Sequence, residues 1–380
     1  MTATYVRGAG MTPFGRHAGV LAPELAQRAI LAAVDDAGLR LQDLQAVYCA
    51  NVFGGMILGQ LVVRDLGLAG IPVYNVENAC ASGATAVHLA RHALRAGEYE
   101  HVLVVGIEQL TQLGGGTIPL QRNDDKTALY ADAGMVLPAV YAMRATRFLH
   151  EGRGTREDLA AVAVKNRFHG SLNPDAQQRT PVSVEEVLAS RPVAEPLTLL
   201  QCCPSQVDGA AALVLSRQPH GAKPVQVLAS IVQSGILESA DDDILDAEIT
   251  ARAARLAYEQ AGVAPGDVGV VELHDAFTIA ELLYYEALGL AGPGEAAALL
   301  RSGATRIGGR VPVNPSGGLL AKGHPLGATG VAQMVEIVRQ LQGRAGARQA
   351  GTPRIGLAQC TGGGIAGVDH AASSVHLLGV

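Results

Sequence analysis

The chain has 380 residues, of which 48% are hydrophobic and 17% charged, close to ordinary globular usage. This length predicts two or three structural units with a sizeable core, and the composition excludes a disordered or collagen-like chain. The net charge of −6 comes from 29 basic and 35 acidic residues without a long like-charge run, so we expect no nucleic-acid partner.

The first repeated unit is a helix followed by a strand. Residues 30–53 have the pattern of an apolar-periodic helix that ends at Gly38, a short polar turn and an apolar run. The same pattern returns later in the chain, with an offset of 224 residues measured from Gly38 to Gly262. The second-copy residues that match at this offset are Gly262, Asp267, Val271, Asp275 and Phe277.

A second repeated unit begins at Cys80 in the first half and at His324 in the second, an offset of 244 residues. Cys80-Ala-Ser-Gly-Ala-Thr-Ala-Val and His324-Pro-Leu-Gly-Ala-Thr-Gly-Val share Gly, Ala, Thr and Val at equivalent positions. Each stretch is predicted to open a helix that is apolar on most faces, and an apolar strand follows each helix. Because both units recur in the same order, we predict a duplicated chain with halves at 1–219 and 220–380.

Residues from about 113 to 205 have no repeat partner and are richer in glycine and polar residues. They predict a loop-rich subdomain inserted into the first half, after which Asp208–Ser216 resembles a core strand. Alternating helices and strands in both halves predict two mixed sheets with helices between and outside them. The expected fold is α/β with five αβαβα layers.

The duplication places Cys80 and His324 at equivalent positions, which face each other across a pseudo-twofold axis. A helix N-terminus carries about half a positive charge, and a neighbouring imidazole adds to its effect. Together they could bring a thiol that titrates near ~8.5 into the reactive range. The alternatives are that Cys80 is a small buried apolar residue and His324 a structural histidine. The glycines around His324 permit close approach of a ligand to the backbone.

Two further motifs end strand runs of the second half. His274-Asp-Ala-Phe277 lies where α/β proteins place functional side chains, although His274 could instead only cap the next helix through Asp275. Cys360-Thr-Gly362 combines a second thiol with unobstructed backbone N–H groups.

Taken together, four segments resemble the motifs of the thiolase family in order and spacing along nearly the whole chain. They are Asn78-Ala-Cys-Ala-Ser-Gly83, His274-Asp-Ala-Phe277, Gly323-His-Pro-Leu-Gly-Ala-Thr-Gly330 and Cys360-Thr-Gly362. The His-Asp-x-Phe form is similar to the sterol-carrier-protein type and archaeal branches. The resemblance implies a five-layer duplicated thiolase-like fold with an inserted loop domain. It also implies chemistry on acyl-coenzyme A without a metal or a tightly bound cofactor, and a homodimer or homotetramer.

The resemblance also implies roles for the site residues. Cys80 is the nucleophile that takes up the acyl group, His324 is the base that activates it, and Cys360 is the acid/base that removes the α-proton of acetyl-CoA. His324 with a water held by His274 would form one oxyanion site, and the backbone N–H groups of Cys80 and Gly362 would form the other. The implied activity is that of an acyl-CoA C-acyltransferase that forms or cleaves 3-oxoacyl-CoA.

Two other functions stay open at this point. The set Cys80, His274 and His324 also resembles that of decarboxylating ketosynthases, so a C-acyltransferase on a non-CoA acceptor is one alternative. Cys360 argues against it, since a second thiol there has no task in such an enzyme. A non-catalytic acyl-CoA-binding or scaffold subunit is the other alternative, and retention of the two thiols and His324 argues against that.

The remaining candidates have simpler interpretations. Cys49, Cys202 and Cys203 are predicted to be structurally buried, since five scattered cysteines fit neither a disulfide framework nor a zinc site. A solvated surface role is the simpler interpretation of three possible phosphate ligands, Arg122, Lys126 and Arg144. No stretch reaches the roughly 18 to 20 apolar residues of a membrane-spanning helix, and no signal-peptide pattern starts the chain. We therefore predict a cytoplasmic protein without a membrane partner.

Overall fold

The computed structural model describes residues 3–114, 125–236, 243–363 and 371–380. Its strands are β1 (Tyr5–Met11), β2 (Ala46–Ala50), β3 (Val73–Val76), β4 (His101–Gln109), β5 (Pro192–Ala194), β6 (Leu197–Thr198), β7 (Asp208–Ser216), β8 (Val225–Ser234), β9 (Val270–Glu272), β10 (Ile355–Gly362) and β11 (Ala372–Gly379). Its α-helices are α1 (Ala22–Asp36), α2 (Leu58–Arg64), α3 (Ser82–Ala96), α4 (Asp125–Asp132), α5 (Leu137–His150), α6 (Arg156–Ser171), α7 (Val184–Ala189), α8 (Glu248–Ala261), α9 (Thr278–Ala287), α10 (Ala296–Arg301), α11 (Gly318–Ala321) and α12 (Leu326–Gln342).

The main sheet shows the duplication in its strand order, β3-β2-β4-β7-β1-β8-β11-β10-β9. In the first half β3, β2 and β4 are parallel and β7 is antiparallel to both β4 and β1. The second half mirrors this order outward from β8, with β11 antiparallel to β8 and β10 and with β9 parallel to β10. The halves join through a short pairing of Tyr5 with Gln226 and Val6 with Val225. The two predicted sheets are therefore present as two layers that this short pairing links at one edge. The predicted boundary at 219/220 lies in the β7–β8 connection.

Helices α3 and α12 form the middle layer. They pack on each other, and α12 contacts β4 and β7 of the first half and β10 of the second. Helix α1 covers the outer face of β1 and β7, while α8 covers β8 and β11. Nearly every residue of α12 is buried, as expected for a helix between two apolar sheet faces. The predicted five αβαβα layers are confirmed.

The inserted segment differs from the prediction. In its described part it consists mainly of helices α4 to α7 with a small β5–β6 hairpin, not of loops. Two of these helices begin with reciprocal caps, in which Thr155 pairs with Asp158 and Ser183 with Glu186. These caps satisfy N–H groups at the helix starts, so polar, half-exposed sequences form helices here. None of the helices within the described ranges is long and apolar enough to cross a membrane.

Candidate active site

Cys80 and His324 lie at matching places in the fold. Each was predicted to open a helix, and each lies two residues before the first helical residue, Ser82 of α3 and Leu326 of α12. Ala79, immediately before Cys80, has a φ of +47°, a backbone conformation that L-residues rarely adopt. Such strain is often found where a fold holds a functional side chain in a fixed position.

Four side chains from both halves converge at this point. The sulfur of Cys80 and one ring nitrogen of each of His274 and His324 lie within 4.8 Å of one another. The two imidazoles are perpendicular, with centroids 4.9 Å apart. Nδ1 of His274 is 3.3 Å from Sγ of Cys360, and the Cys360 thiol donates to the backbone oxygen of Cys80 at 3.1 Å. The two thiols and two histidines singled out in the sequence thus form one cluster.

The imidazole of His324 is neutral in this environment. Burial lowers the pKa of its imidazole to about 3, so the ring carries a single proton at neutral pH. Its Nδ1 is 2.7 Å from Oγ1 of Thr329 in the first turn of α12. The other nitrogen, Nε2, is left to face the cluster.

Cys80 is a protonated thiol at rest, contrary to the expectation of a lowered pKa. Burial, with a smaller effect from the charge of Glu108, raises the pKa of Cys80 to about 12. The backbone N–H groups of Gly363 and of Cys80 itself act in the opposite direction and only partly offset the burial. Desolvation outweighs the helix terminus because the thiol is enclosed by the fold. A thiolate at this position therefore needs a neighbouring group that can accept the thiol proton.

Cys360 is almost fully enclosed, with 1% of its surface exposed. Burial raises the pKa of its thiol well above the usual range, and neighbouring Cys80 raises it further, while the ammonium of Lys322 opposes the shift. Lys322 itself is buried and pairs with the carboxylate of Glu272 at 3.1 Å. This ion pair ties the strand before His274 to the turn before His324.

The His274-Asp-Ala-Phe277 segment is fixed by its backbone and by Asp275. The N–H of His274 donates to Oε1 of Gln359 at 3.0 Å, beside Cys360. Asp275 accepts the N–H groups of Leu319 and Leu320 at 2.7 and 3.3 Å, so it caps α11 and not the following helix α9. Burial and the charge of Glu281 raise the pKa of Asp275 to about 8. The interpretation that His274 only caps the following helix α9 through Asp275 is therefore wrong, because Asp275 caps α11.

The glycines after Cys360 pack against the loop that carries Cys80. A Cβ on Gly362 would lie 2.4 Å from the backbone oxygen of Asn78, so only glycine fits there. The N–H group directed at the Cys80 sulfur belongs to Gly363, a donor that the sequence analysis did not single out. Nothing in a run of three glycines indicates which amide points at the sulfur.

The glycines around His324 allow neighbouring segments of the chain to pack closely against each other. A Cβ on Gly318 would lie 2.2 Å from a carboxylate oxygen of Asp275, and a Cβ on Gly327 would lie 2.6 Å from the Cα of Asn51. The expectation that these glycines admit a ligand is therefore wrong for Gly318 and Gly327. They allow segments from both halves to meet around the cluster.

The cluster opens into a cavity of about 640 Å³, called here the acyl cavity. Its wall includes Cys80, His274, His324 and Thr361. Cys202 and Cys203, predicted to be structural, are half-buried and line the same cavity, together with Pro204 and Ser205. The sequence analysis did not predict that these two cysteines line a cavity with Cys80, because the wall is formed by segments far apart in the chain.

The predicted phosphate ligands have different outcomes. Arg144 is only 3% exposed and lies over the ring of Tyr141 at 5.5 Å, so it is neither a solvated residue nor a surface ligand. Arg122 and the side chain of Lys126 lie outside the described residues. The arginines that do line the acyl cavity are Arg16, Arg167 and Arg191.

Comparison with known proteins identifies the family. The thiolase N-terminal domain model matches residues 4–218, and the thiolase C-terminal domain-like model matches residues 233–375. The chain belongs to the thiolase family. This agrees with the fold and with the positions of the four clustered side chains, and it confirms the predicted family and the predicted class of enzyme, an acyl-CoA C-acyltransferase.

Similar thiolases and related structures cover almost the full chain. The chain is 41% identical to benzoylsuccinyl-CoA thiolase subunit BbsB of Thauera aromatica, covering 95% of this chain and 94% of that protein. It is 40% identical to acetyl-CoA acetyltransferase of Methanothermobacter thermautotrophicus, covering 94% and 96%. Among solved structures, the Ltp2-ChsH2(DUF35) aldolase superimposes with a TM-score of 0.86 at 28% identity, covering 100% of this chain and 98% of that one. Human mitochondrial 3-ketoacyl-CoA thiolase shares the fold, with a TM-score of 0.73 at 17% identity. The superposition covers 100% of this chain and 98% of that one.

Proposed function

We propose that this thiolase forms and cleaves 3-oxoacyl-CoA through an acyl thioester on Cys80. The observation that carries the proposal is the meeting of two thiols and two imidazoles beside one cavity. Cys80, His274 and His324 are on its wall, and the enclosed Cys360 lies 3.3 Å from Nδ1 of His274. One thiol with one base would suffice for acyl transfer alone. A second thiol beside the first supports an additional proton transfer at carbon.

In the cleavage direction, the Sγ of Cys80 attacks the 3-oxo carbon while Nε2 of His324 accepts the thiol proton. The bond between carbons 2 and 3 then breaks, and its electron pair goes to carbon 2. The thiol of Cys360 donates a proton to that carbon, which yields acetyl-CoA when carbon 2 carries no other substituent. A CoA thiol next attacks the acyl-Cys80 carbonyl, and the proton it loses restores the thiol of Cys360. The imidazolium of His324 returns its proton to the departing Cys80 sulfur, and a second acyl-CoA leaves. Synthesis follows the same steps in reverse.

His274 and two backbone amides are proposed to stabilise the negative oxygens that form in these steps. The ring of His274 lies between the Cys360 sulfur and the His324 ring, at the place where an enolate oxygen would form. The N–H groups of Cys80 and Gly362 remain the proposed donors to the tetrahedral intermediate. The N–H of Gly363, which already points at the Cys80 sulfur, is added as a donor to the thiolate.

The substrates are proposed to be coenzyme A thioesters, including acetyl-CoA, with no metal and no tightly bound cofactor needed. The names of the two similar thiolases concern acyl-CoA compounds, which supports this substrate class. Apolar side chains such as Leu200 and Phe277 line the acyl cavity beside Cys80 and suit an acyl chain. The cavity arginines Arg16, Arg167 and Arg191 replace Arg144 as candidates for the CoA phosphates.

A homo-oligomer is also proposed, as a dimer or tetramer. Strand β3 is an edge of the nine-stranded sheet, and Tyr74 in its middle is 42% exposed. The loop before α2 presents Met56 and Ile57, which are 91% and 59% exposed. An uncovered edge strand beside apolar side chains is a typical pairing surface. Sedimentation equilibrium should give at least twice the 39.2 kDa chain mass, and a monomer would contradict the proposal.

The experiment that tests the function is mass spectrometry of the protein after mixing with acetoacetyl-CoA. We expect an acetyl adduct on Cys80 that free CoA removes as acetyl-CoA. Cys80→Ser should give no such adduct, whereas Cys203→Ser, which changes another cavity thiol, should keep it. An adduct that CoA cannot discharge would favour a C-acyltransferase on another acceptor. If the protein is folded and Cys80 stays unmodified, the proposed function is wrong. The chain would then be a binding subunit, or a lyase that forms no acyl-enzyme.

A further inference from the structure

The further inference concerns Thr329, which lies in the first turn of α12 and is 1% exposed. Its hydroxyl oxygen makes two contacts. It is 2.7 Å from Nδ1 of His324, and the hydroxyl donates to the backbone oxygen of Pro325 at 3.0 Å. Thr329 stands five residues after His324 in the sequence.

The direction of these hydrogen bonds decides which nitrogen of His324 carries the proton. A threonine hydroxyl has one hydrogen, and we assign it to the carbonyl of Pro325, which lies 3.0 Å away and can only accept. The oxygen therefore accepts from His324, so Nδ1 is the protonated nitrogen. In a neutral imidazole the other nitrogen, Nε2, then has a free lone pair. Of the two ring nitrogens of His324, only Nε2 can then accept the proton of the Cys80 thiol.

The first copy of the repeat contains the equivalent threonine with another partner. Thr85 stands five residues after Cys80, as Thr329 stands five residues after His324. Oγ1 of Thr85 accepts from the side-chain amide of Asn78 at 3.1 Å, in the loop just before Cys80. At equivalent places in two sister helices, the same hydroxyl thus contacts the imidazole in one copy and the nucleophile's loop in the other.

We propose that Thr329 is a positioning residue that holds His324 as the Nδ1–H tautomer and directs its bare Nε2 at Cys80. When Cys80 loses its proton, the imidazole becomes a cation with two N–H groups, and Thr329 accepts one of them. The hydroxyl therefore stabilises both the resting base and the charged ring that forms during attack. Only the acyl-transfer readout of this inference rests on the proposed function.

The test compares Thr329→Val, which keeps the shape and removes the hydroxyl, with Thr329→Ser, which keeps the hydroxyl. For Thr329→Val we expect kcat to fall about 10- to 100-fold, with little change in KM, because a buried N–H loses its acceptor. The rate at which iodoacetamide alkylates Cys80 at pH 7 should fall about 10-fold, since the imidazolium that takes up the thiol proton is less stable. Thr329→Ser should restore both values. Thr85→Val, the matched change in the sister helix, should leave the alkylation rate unchanged.

A second measurement needs no variant at Thr329. The ¹⁵N shifts of labelled histidine rings distinguish the tautomers, and His324→Gln identifies the signals of His324. A bare Nε2 is expected, and an Nε2–H tautomer would overturn the proposal. So would a folded Thr329→Val with the wild-type alkylation rate at pH 7, or a serine variant as slow as the valine one. Absence of an acetyl adduct in the wild type would refute only the proposed function, since alkylation and ring shifts do not require acyl-CoA.

Discussion

At the residue scale, the proposed division of roles between Cys80 and Cys360 rests on what each thiol contacts. Cys80 is half-buried and borders the acyl cavity, so its sulfur can reach a thioester. Cys360 is enclosed and is held between Nδ1 of His274 and the backbone oxygen of Cys80. A sulfur so confined is suited to exchange a proton with a neighbouring carbon and poorly suited to carry an acyl group.

Replacement of Cys360 by serine should separate acyl transfer from carbon chemistry. We expect Cys360→Ser to form the acetyl adduct on Cys80 from acetyl-CoA at nearly the wild-type rate, because a CoA thiolate, unlike a carbanion, can leave without a proton donor. The exchange of the acetyl-CoA methyl protons with deuterated solvent should fall by about 10²- to 10⁴-fold, because a hydroxyl is a far weaker acid and base in this role. Deuterium incorporation followed by NMR or mass spectrometry measures the exchange.

Cys203→Ser is the matched control for this prediction, since it changes a thiol on the wall of the same cavity. It should retain the exchange. Normal exchange in Cys360→Ser would remove Cys360 from its proposed role, and a loss of adduct formation in that variant would show that the two thiols do not act separately.

The sequence indicated the clustered residues but not their state. Cys80, His274, His324 and Cys360 were found because duplication and motif order bring distant residues into register. The raised pKa of Cys80 was missed because it depends on enclosure by segments from both halves. The same limit applies to Arg144, whose burial over Tyr141 cannot be derived from a polar residue in an amphipathic helix.

At the scale of elements, the close crossing of α3 and α12 is what brings the two reactive ends together. A Cβ on Gly83 would lie 2.7 Å from the backbone oxygen of Gly327. A Cβ on Gly330 would lie 2.5 Å from the backbone nitrogen of Ala84. Both contacts are with backbone atoms, which cannot rotate away. The helices can approach this closely only where side chains are absent.

We therefore predict that Gly330→Ala is strongly destabilising, although alanine is the better helix former. The added methyl must push α3 and α12 apart, and overpacking of this kind costs about 1 to 3 kcal/mol or more. The urea midpoint should fall, and alkylation of Cys80 should slow because His324 moves with α12. The matched control is Gly266→Ala, since a Cβ at that glycine meets no atom within 4 Å. Equal stability of the two variants would show that the helix crossing is not tight.

Sequence patterns predicted the repeated elements better than the inserted ones. Gly262 ends α8 in the left-handed conformation, and Gly38 has the same conformation two residues after α1, as the two glycine positions indicated. The segment between the halves was expected to be loops because it is polar. Its described part is helical because capping pairs such as Thr155 with Asp158 and packing against the core stabilise it. Neither the packing nor its partners can be derived from local composition.

At the scale of the whole molecule, stability depends on histidines that the fold keeps uncharged. Burial lowers the pKa of His169, His324 and His376 to about 3 in each case. His169 uses both nitrogens, with Nδ1 at 3.0 Å from the oxygen of Asn314 and Nε2 accepting from Ile307, which requires a neutral ring. His376 lies on β11, is 1% exposed and takes no part in the proposed chemistry.

These histidines predict a loss of stability as the pH falls below about 6.5. In the unfolded chain each ring takes up a proton near pH ~6.5, whereas in the folded chain it does so only near pH 3. Between these values the unfolded state binds more protons, so the free energy of unfolding decreases as the pH falls. From pH 7 to pH 5 each such histidine should lower the free energy of unfolding by about 2 kcal/mol.

The variant His376→Gln tests this, because glutamine does not titrate. Between pH 7 and pH 5 its free energy of unfolding should fall by about 2 kcal/mol less than that of the wild type, as measured by urea midpoints at both pH values. His150→Gln, at an exposed position on α5, is the control and should behave as the wild type does. An equal loss in His376→Gln and the wild type would contradict the assignment, because the proton uptake on unfolding would then come from other groups.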